Sequence, residues 1–173
     1  MNMASTREDD KPWKTDLARK SAARRDQVLQ EVEDVIKKAP SFEEALRVGT
    51  ELLKKRFARY SAVTVYVADG EELAVHTSID RPSGPERIAS TGNPLADATA
   101  TEAPTVVSSL SADGAWAGMG LTHGSALVAP VRTEAGLWAI VEVWSEFREA
   151  FSPLDAKLLG RVAQALARKT PAA

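Results

Sequence analysis

Apolar residues recur at helical spacing in the first part of the chain. Residues 11–39 contain no glycine and no proline after Pro12, and their second half has an apolar stripe of Val28, Val32, Val35 and Ile36. This spacing indicates an amphipathic N-terminal helix, which at this length is about 40 Å long and overhangs a compact domain. The stripe thins before Val28, so the leading half of the helix either serves as a dimerisation arm or frays in solution. Residues 1–10 are polar, and we expect them to be disordered.

Two further helices have clear start signals. Ser41 followed by Glu44 forms a capping-box pattern, and the apolar positions after it predict a helix that ends near Arg59. Ser152 with Asp155 predicts the start of a closing helix, which has its own apolar face.

Two-residue alternation predicts two hairpins between these helices. "SAVTVYVAD" and "ELAVHTSID" are joined by a turn at Asp69-Gly70, and "GSALVAPVRT" and "GLWAIVEVWS" are joined at residues 134–136. Residues 81–124, between the hairpins, are rich in small and turn-forming residues, with a short helix predicted over 94–101 and a brief strand at "PTVVSS". Hairpins imply an antiparallel sheet. We therefore predict an α+β fold with helices packed on one face of the sheet and the long loop with its short helix covering the other.

Composition and charge restrict the function. A chain that is 44% hydrophobic and 27% charged can bury a core and is typical of a globular protein. Its net charge of −2, with acids and bases interspersed, argues against a nucleic-acid surface. There is no apolar run long enough for a membrane span and no signal-peptide core, so we expect a cytoplasmic protein without membrane association.

The chain has no cysteine and two histidines, His76 and His123. Disulfides, thiolate metal ligands and thiol nucleophiles are excluded, and a histidine-rich metal site is excluded too. We expect no metal site, no bound cofactor and no catalytic residues.

Glu142 stands in an otherwise apolar strand, where an unpaired carboxylate is costly to bury. Strict alternation places Trp138, Glu142 and Trp144 on one face, which Tyr66 of the first hairpin shares. Indole walls around one acid fit a ligand pocket for a molecule that carries a positive group. In the alternative, Glu142 pairs with an arginine of the long loop, Arg81 or Arg87, and the tryptophans simply cover the sheet.

The glycine-rich segment "GAWAGMGLTHG" precedes the second hairpin. It lacks the Lys-Ser/Thr ending of a phosphate-binding P-loop. It predicts a lid that brings Trp116, Met119 and His123 over the pocket, or else a mobile exposed loop.

Residues 41–169 resemble a GAF domain, the small-molecule sensing module of many bacterial regulators. The resemblance rests on "FEEALRVGTELLKKRF", "VTVYV", "GSALVAPVRTEAGLWAIVEVWS" and "AFSPLDAKLLGRVAQALA". The layout is most similar to free methionine-(R)-sulfoxide reductases, whose chemistry requires a cysteine thiolate. The resemblance implies that Glu142 keeps one of their substrate-binding acid positions and Tyr66 an aromatic one. Two other acid positions are occupied by Ala126 and Trp144, and Ala62 stands where the reductases have tryptophan.

From these observations we expect a non-catalytic GAF-type module that binds an unknown small molecule, forms a homodimer and signals to a separate protein, because no output domain fits outside residues 41–169. One alternative is a structural or protein-interaction module with a collapsed pocket. The other is a degenerate free methionine sulfoxide reductase.

Overall fold

The structure is a computed structural model that describes residues 12–171 of the 173-residue chain, so the predicted disordered tail lies outside the described residues. Within that range the chain forms four α-helices, six strands and a 3₁₀-helix of five residues. In chain order they are α1 (Pro12–Lys38), α2 (Phe42–Arg56), β1 (Ala62–Asp69), β2 (Glu72–Ile79), β3 (Arg87–Ala89), α3 (Pro94–Ala98), β4 (Thr105–Val107), the 3₁₀-helix (Ala115–Met119), β5 (Ser125–Thr133), β6 (Gly136–Ser145) and α4 (Pro153–Ala167).

The helix starts agree with their capping signals. The Ser41 hydroxyl accepts a hydrogen bond from the Glu44 N–H at 3.1 Å at the start of α2. Ser152 and Asp155 form a reciprocal capping box at the start of α4. The predicted end of α2 near Arg59 is wrong. The helix stops at Arg56 because Phe57 adopts an extended conformation and stacks its ring 4.5 Å from that of Tyr60.

The six strands form one sheet in the order β3-β2-β1-β6-β5-β4, and every described pairing is antiparallel. The two predicted hairpins are β1–β2 and β5–β6, and they meet along the β1–β6 pairing at the centre. The strands at the two edges, β3 and β4, have three residues each, which limits the exposed backbone at both edges.

The two faces of the sheet are covered as predicted, which confirms the fold class. Helices α1, α2 and α4 pack on one face, around a core that includes Val32, Leu46, Val65, Leu127 and Leu159. The long segment between the hairpins, with α3 and the 3₁₀-helix, covers the other face and contributes Leu95 and Met119 to a second apolar cluster. Among the described helices, none is long and apolar enough to cross a membrane.

Candidate ligand-binding site

Glu142 lies in the middle of β6, on the face that the long segment covers. In the antiparallel registers it stands opposite Thr64 of β1 and Val128 of β5. Glu142 is 3% exposed, and within the described residues its Oε2 atom has no hydrogen-bond partner. Burial raises the pKa of Glu142 to about 7, and the positive charge of Arg81 offsets part of that rise. Glu142 is therefore a buried carboxyl group whose pKa is raised to near neutrality.

Arg81 follows the end of β2 and reaches the same face. Its Nη2 atom donates a hydrogen bond to the Tyr66 hydroxyl at 3.3 Å and another to the carbonyl oxygen of Pro85. Its Nη1 atom lies 3.7 Å from Glu86, whose side chain is solvent-exposed, whereas the Arg81 side chain is 8% exposed. The Nε atom is buried without a partner in the described chain. The site thus contains a buried donor that lacks an acceptor, which is energetically costly.

Glu142 has no direct ion pair with either arginine considered as its partner, within the residues described. Arg87 binds Asp69 at 2.6 Å and Glu72 at 2.7 Å on the exposed edge of the sheet. Arg81 acts on Glu142 through the longer-range attraction that opposes the rise of the Glu142 pKa. This face of the sheet therefore carries the Glu142 carboxyl group and the Arg81 guanidinium group, which do not form a direct ion pair.

Tyr66 connects these two groups. It stands opposite Ile140 in the β1–β6 pairing, one diagonal step from Glu142, so the two side chains share a face. Tyr66 is fully buried. Burial raises its pKa above the usual range, and the charge of Glu142 adds to the rise. The guanidinium carbon of Arg81 lies 5.7 Å from the centroid of the Tyr66 ring. Glu142, Tyr66 and Arg81 consequently form one electrostatically coupled group.

Apolar side chains surround this group. The buried cluster on this face comprises Tyr66, Leu73, Leu95, Met119, Val128 and Ile140. Trp116, which is half-buried, packs against this cluster and also against the neighbouring cluster of Leu110, Leu121 and Ala126. Apolar walls with a few polar groups are typical of small-molecule sites.

Two segments cover the site on the side away from the sheet. They are residues 80–86 and residues 114–121, and we call them together the ceiling. They contact each other through two glycines. A Cβ atom at Gly84 would lie 2.5 Å from the carbonyl oxygen of Met119, and one at Gly120 would collide with the carbonyl oxygen of Ser83. Gly120 also has a φ of 84°, which favours glycine. Residues without a side chain therefore allow the two halves of the ceiling to pack backbone to backbone.

The predicted lid residues lie at different places on this face. Met119 is buried in the cluster that contains Tyr66, and Trp116 bridges the two clusters. His123 is exposed, and its ring packs edge-on against Trp144 at a centroid distance of 5.1 Å. The Trp144 Nε1–H donates to the His123 carbonyl oxygen at 2.9 Å. Trp144 and His123 thus form the rim at one end of the face, where Trp144 packs against the second cluster.

The prediction that Trp138 shares the face of Glu142 is wrong. In the β5–β6 register Val131 pairs with Ala139 and Arg132 pairs with Leu137, so Trp138 is the extra residue of a β-bulge. The bulge rotates Trp138 to the helix side, where its ring packs edge-on against Phe42 at 6.0 Å. Leu137 takes the place on the loop side instead.

The sequence reasoning also missed residues that contribute to the site. Leu95 comes from α3, and Arg81 was considered only as an ion-pair partner. The signal for Arg81 in the sequence is its position directly after a strand, in the turn-rich stretch "DRPSGP". Leu73 belongs to the first hairpin, but a second bulge, between Val65 and Tyr66 in the β1–β2 register, makes its face hard to assign by simple alternation.

The model of the GAF domain family matches residues 41–169, about three quarters of the chain. The chain belongs to the GAF domain family. A comparison with curated proteins finds no significant match.

Solved structures similar to this GAF protein include both enzymes and sensors. The free methionine-R-sulfoxide reductase of Neisseria meningitidis, solved in complex with its substrate, is 25% identical, with a TM-score of 0.75 over 86% of this chain and 89% of that chain. A protein described as a GAF sensor from Burkholderia vietnamiensis is 18% identical, with a TM-score of 0.71 over 86% and 94% of the two chains. The GAF domain of a phosphoenolpyruvate-protein phosphotransferase from Coxiella burnetii is 17% identical, with a TM-score of 0.71 over 86% and 93%. The last two show a shared fold.

Proposed function

We propose that this GAF protein is a non-catalytic sensing module that binds a small zwitterionic molecule between Glu142 and Arg81. One observation carries the proposal: Glu142 Oε2 and Arg81 Nε are both buried without partners in the described chain. Buried polar atoms in native proteins are nearly always satisfied, and the exceptions call for an explanation such as a missing ligand. A ligand with an ammonium group for Glu142 and a carboxylate for Arg81 would satisfy both.

The surroundings support a ligand with an apolar part as well. Tyr66, Met119 and Trp116 offer contact area beside the two charged groups, and Trp144 with His123 offers a rim. Glu142 is closed off by the ceiling, so binding requires residues 80–86 and 114–121 to separate. These two segments contact each other backbone to backbone at Gly84 and Gly120.

The comparison with the Neisseria reductase supports the same class of ligand. That protein is named for free methionine-R-sulfoxide, which, as a free amino acid, is a zwitterion. Sulfoxide reduction in that type of enzyme depends on a cysteine thiolate, and this chain has no cysteine. We therefore propose binding without turnover.

Titration calorimetry with free methionine sulfoxide and with methionine tests the proposal. We expect saturable binding of at least one of them, weakened about tenfold or more by Glu142→Gln because a charge-assisted contact is lost. Glu146→Gln, an exposed acid near the end of the same strand, is the matched control and should bind as the unaltered protein does. Turnover of methionine sulfoxide by the protein would contradict the non-catalytic part.

Native mass spectrometry of the purified protein extends the search beyond these two probes. A mass excess that is released on denaturation identifies a co-purified ligand. Absence of a released mass together with no calorimetric binding of either amino acid would refute the zwitterion proposal. It would favour the second candidate, an interaction module with a closed pocket, whose specific support is the packed ceiling and the 3% exposure of Glu142.

We also propose that the module is a homodimer that signals to a separate protein. The first half of α1 is mostly exposed from residue 15 onward, and Leu17 and Leu154 are 57% and 47% exposed on α1 and α4. A paired helix surface would cover them. Light scattering on a sizing column should report a dimer, and Leu17→Asp with Leu154→Asp should shift it toward monomer. Val106→Asp, at an exposed apolar site on β4, should not.

A further inference from the structure

A second pocket, away from the Glu142 site, lies where α1, the turn after α2 and the start of α4 meet. It has a volume of about 230 Å³. Four arginines line it: Arg24 and Arg25 from α1, and Arg56 and Arg59 from the end of α2 and the turn that follows. Its lining also includes the buried pair Tyr60 and Asp155. Arg56 and Arg59 of the basic stretch "KKRFAR" therefore share a concave site with arginines from a distant part of the chain.

The positive charge in this pocket is incompletely balanced. Arg56 binds Glu31 through two nitrogens, at 2.8 and 2.9 Å, and is neutralised. Arg24 donates a hydrogen bond to the Arg56 carbonyl oxygen at 3.3 Å. This acceptor is uncharged and does not neutralise the Arg24 guanidinium group. Arg59 has no hydrogen bond or ion pair within the described residues, and its side chain is exposed. Within residues 12–171, the guanidinium groups of Arg24 and Arg59 therefore lack a carboxylate partner.

Asp155 balances the charge of the remaining arginine, Arg25, only in part. Its carboxylate accepts hydrogen bonds from the Ser152 N–H at 2.8 Å, the Ser152 hydroxyl at 2.9 Å and the Tyr60 hydroxyl at 3.0 Å. Arg25 Nε lies farther away, at 3.4 Å from Asp155 Oδ1, and Arg25 Nη1 donates to Ser21. Since Arg25 Nη2 has no hydrogen-bond partner within the described residues, Arg25 retains capacity to donate to another anion.

We propose that this pocket binds a small phosphate-bearing anion, held between Arg24, Arg25 and Arg59. Guanidinium groups match phosphate oxygens with paired N–H donors, and several of them around one concavity favour a multiply charged anion over a single carboxylate. The pocket is too small for a folded partner and is large enough for one or two phosphate groups. A bound anion would add a contact between α1 and the turn after α2, beside the existing hydrogen bond from Arg24 to the Arg56 carbonyl oxygen.

Calorimetry with inorganic pyrophosphate at low ionic strength tests this site. We expect one saturable site per chain, weakened about tenfold or more by the double change Arg24→Gln and Arg59→Gln, because two charge-assisted contacts are lost. The double change Arg19→Gln and Arg168→Gln removes two exposed arginines outside the pocket and serves as the charge-matched control, so it should keep the unaltered affinity. Circular dichroism should show that all variants are folded, which is expected for exposed glutamines.

Two results would overturn the proposal. One is the absence of saturable pyrophosphate binding. The other is an equal loss of pyrophosphate affinity in the control and in the variant with Arg24→Gln and Arg59→Gln, because binding to diffuse charge behaves in this way. Flotation with phosphatidylcholine vesicles that contain phosphatidic acid separates a soluble anion from a lipid headgroup. Vesicle binding without pyrophosphate binding would replace the proposal with a membrane surface. Glu142→Gln should leave pyrophosphate binding unchanged, so this site and the proposed ligand site succeed or fail separately.

Discussion

The guanidinium of Arg81 donates a hydrogen bond to the hydroxyl of Tyr66 at 3.3 Å, and this contact ties the ceiling to the central strand of the sheet. Tyr66 is fully buried in β1, whereas Arg81 lies in the loop after β2. The same arginine is the positive charge that acts on Glu142. This hydrogen bond therefore helps to hold the Arg81 guanidinium group on the face of the sheet that carries Glu142.

Removal of this contact should destabilise the protein. Tyr66→Phe keeps the ring and its packing but leaves a nearly buried guanidinium with one acceptor fewer, which should cost about 1–3 kcal/mol of the free energy of unfolding. Urea denaturation measures this difference. An unchanged free energy of unfolding would mean that Arg81 finds another acceptor equally well. Tyr66 would then not be the link between the ceiling and the sheet.

The stability of the ligand-free protein should fall as the pH rises from about 4.5 to about 7. The folded-state pKa of Glu142 is raised from its ordinary 4.5 to about 7, so the neutral form is favoured by folding. Its contribution is fully present below pH 4.5 and is lost as pH rises through about 7, with a total on the order of 3 kcal/mol. Urea denaturation from pH 5 to 8 should show this decline.

Glu142→Gln should remove this part of the pH dependence, because an amide does not titrate. Glu146→Gln, which changes an exposed acid near the same strand end, should keep it. Parallel pH profiles for the unaltered protein and Glu142→Gln would show that the Glu142 carboxyl titrates at its ordinary value, and therefore that water reaches it.

A side chain at Gly120 should disrupt the ceiling. Gly120→Ala forces a left-handed backbone on alanine and brings its Cβ against the Ser83 carbonyl, so we expect a loss of about 2 kcal/mol or more. Gly118 lies in the 3₁₀-helix that Gly120 follows, and a Cβ at Gly118 meets nothing within 4 Å. Gly118→Ala is therefore the control and should leave stability unchanged within about 0.5 kcal/mol. Equal effects of the two changes in thermal denaturation would refute the close backbone contact.

Asp155 should contribute more to stability than its role as a helix cap accounts for. It joins the start of α4 to the buried Tyr60 hydroxyl and, more weakly, to Arg25 of α1. Ser152→Ala removes the capping hydroxyl and should cost about 1 kcal/mol. Asp155→Ala also leaves the Tyr60 hydroxyl without its acceptor and should cost about 2–4 kcal/mol. Chemical denaturation that gives the same loss for both would show that the contact with Tyr60 contributes nothing.

The helices and hairpins were predictable because their signals are local. The capping serines Ser41 and Ser152, the turn at Asp69-Gly70 and the apolar periodicities each act within a few residues of the chain. Trp138 shows where such reasoning stops. Alternation assumes a regular strand, and the bulge beside Arg132 depends on how β5 and β6 pair, which is a relationship between two segments.

The amino-acid sequence by itself determined the element order, the antiparallel α+β class, the absence of thiol chemistry and the prominence of one acid in an apolar strand. The tertiary structure alone decided what surrounds that acid. Arg81 and Met119 reach the face of Glu142 from segments that are far from it in the chain, and four arginines from α1, α2 and the turn after α2 line one pocket together with Asp155. The physical reason is that burial and charge compensation depend on long-range packing, whereas periodicity and capping depend on neighbours along the chain.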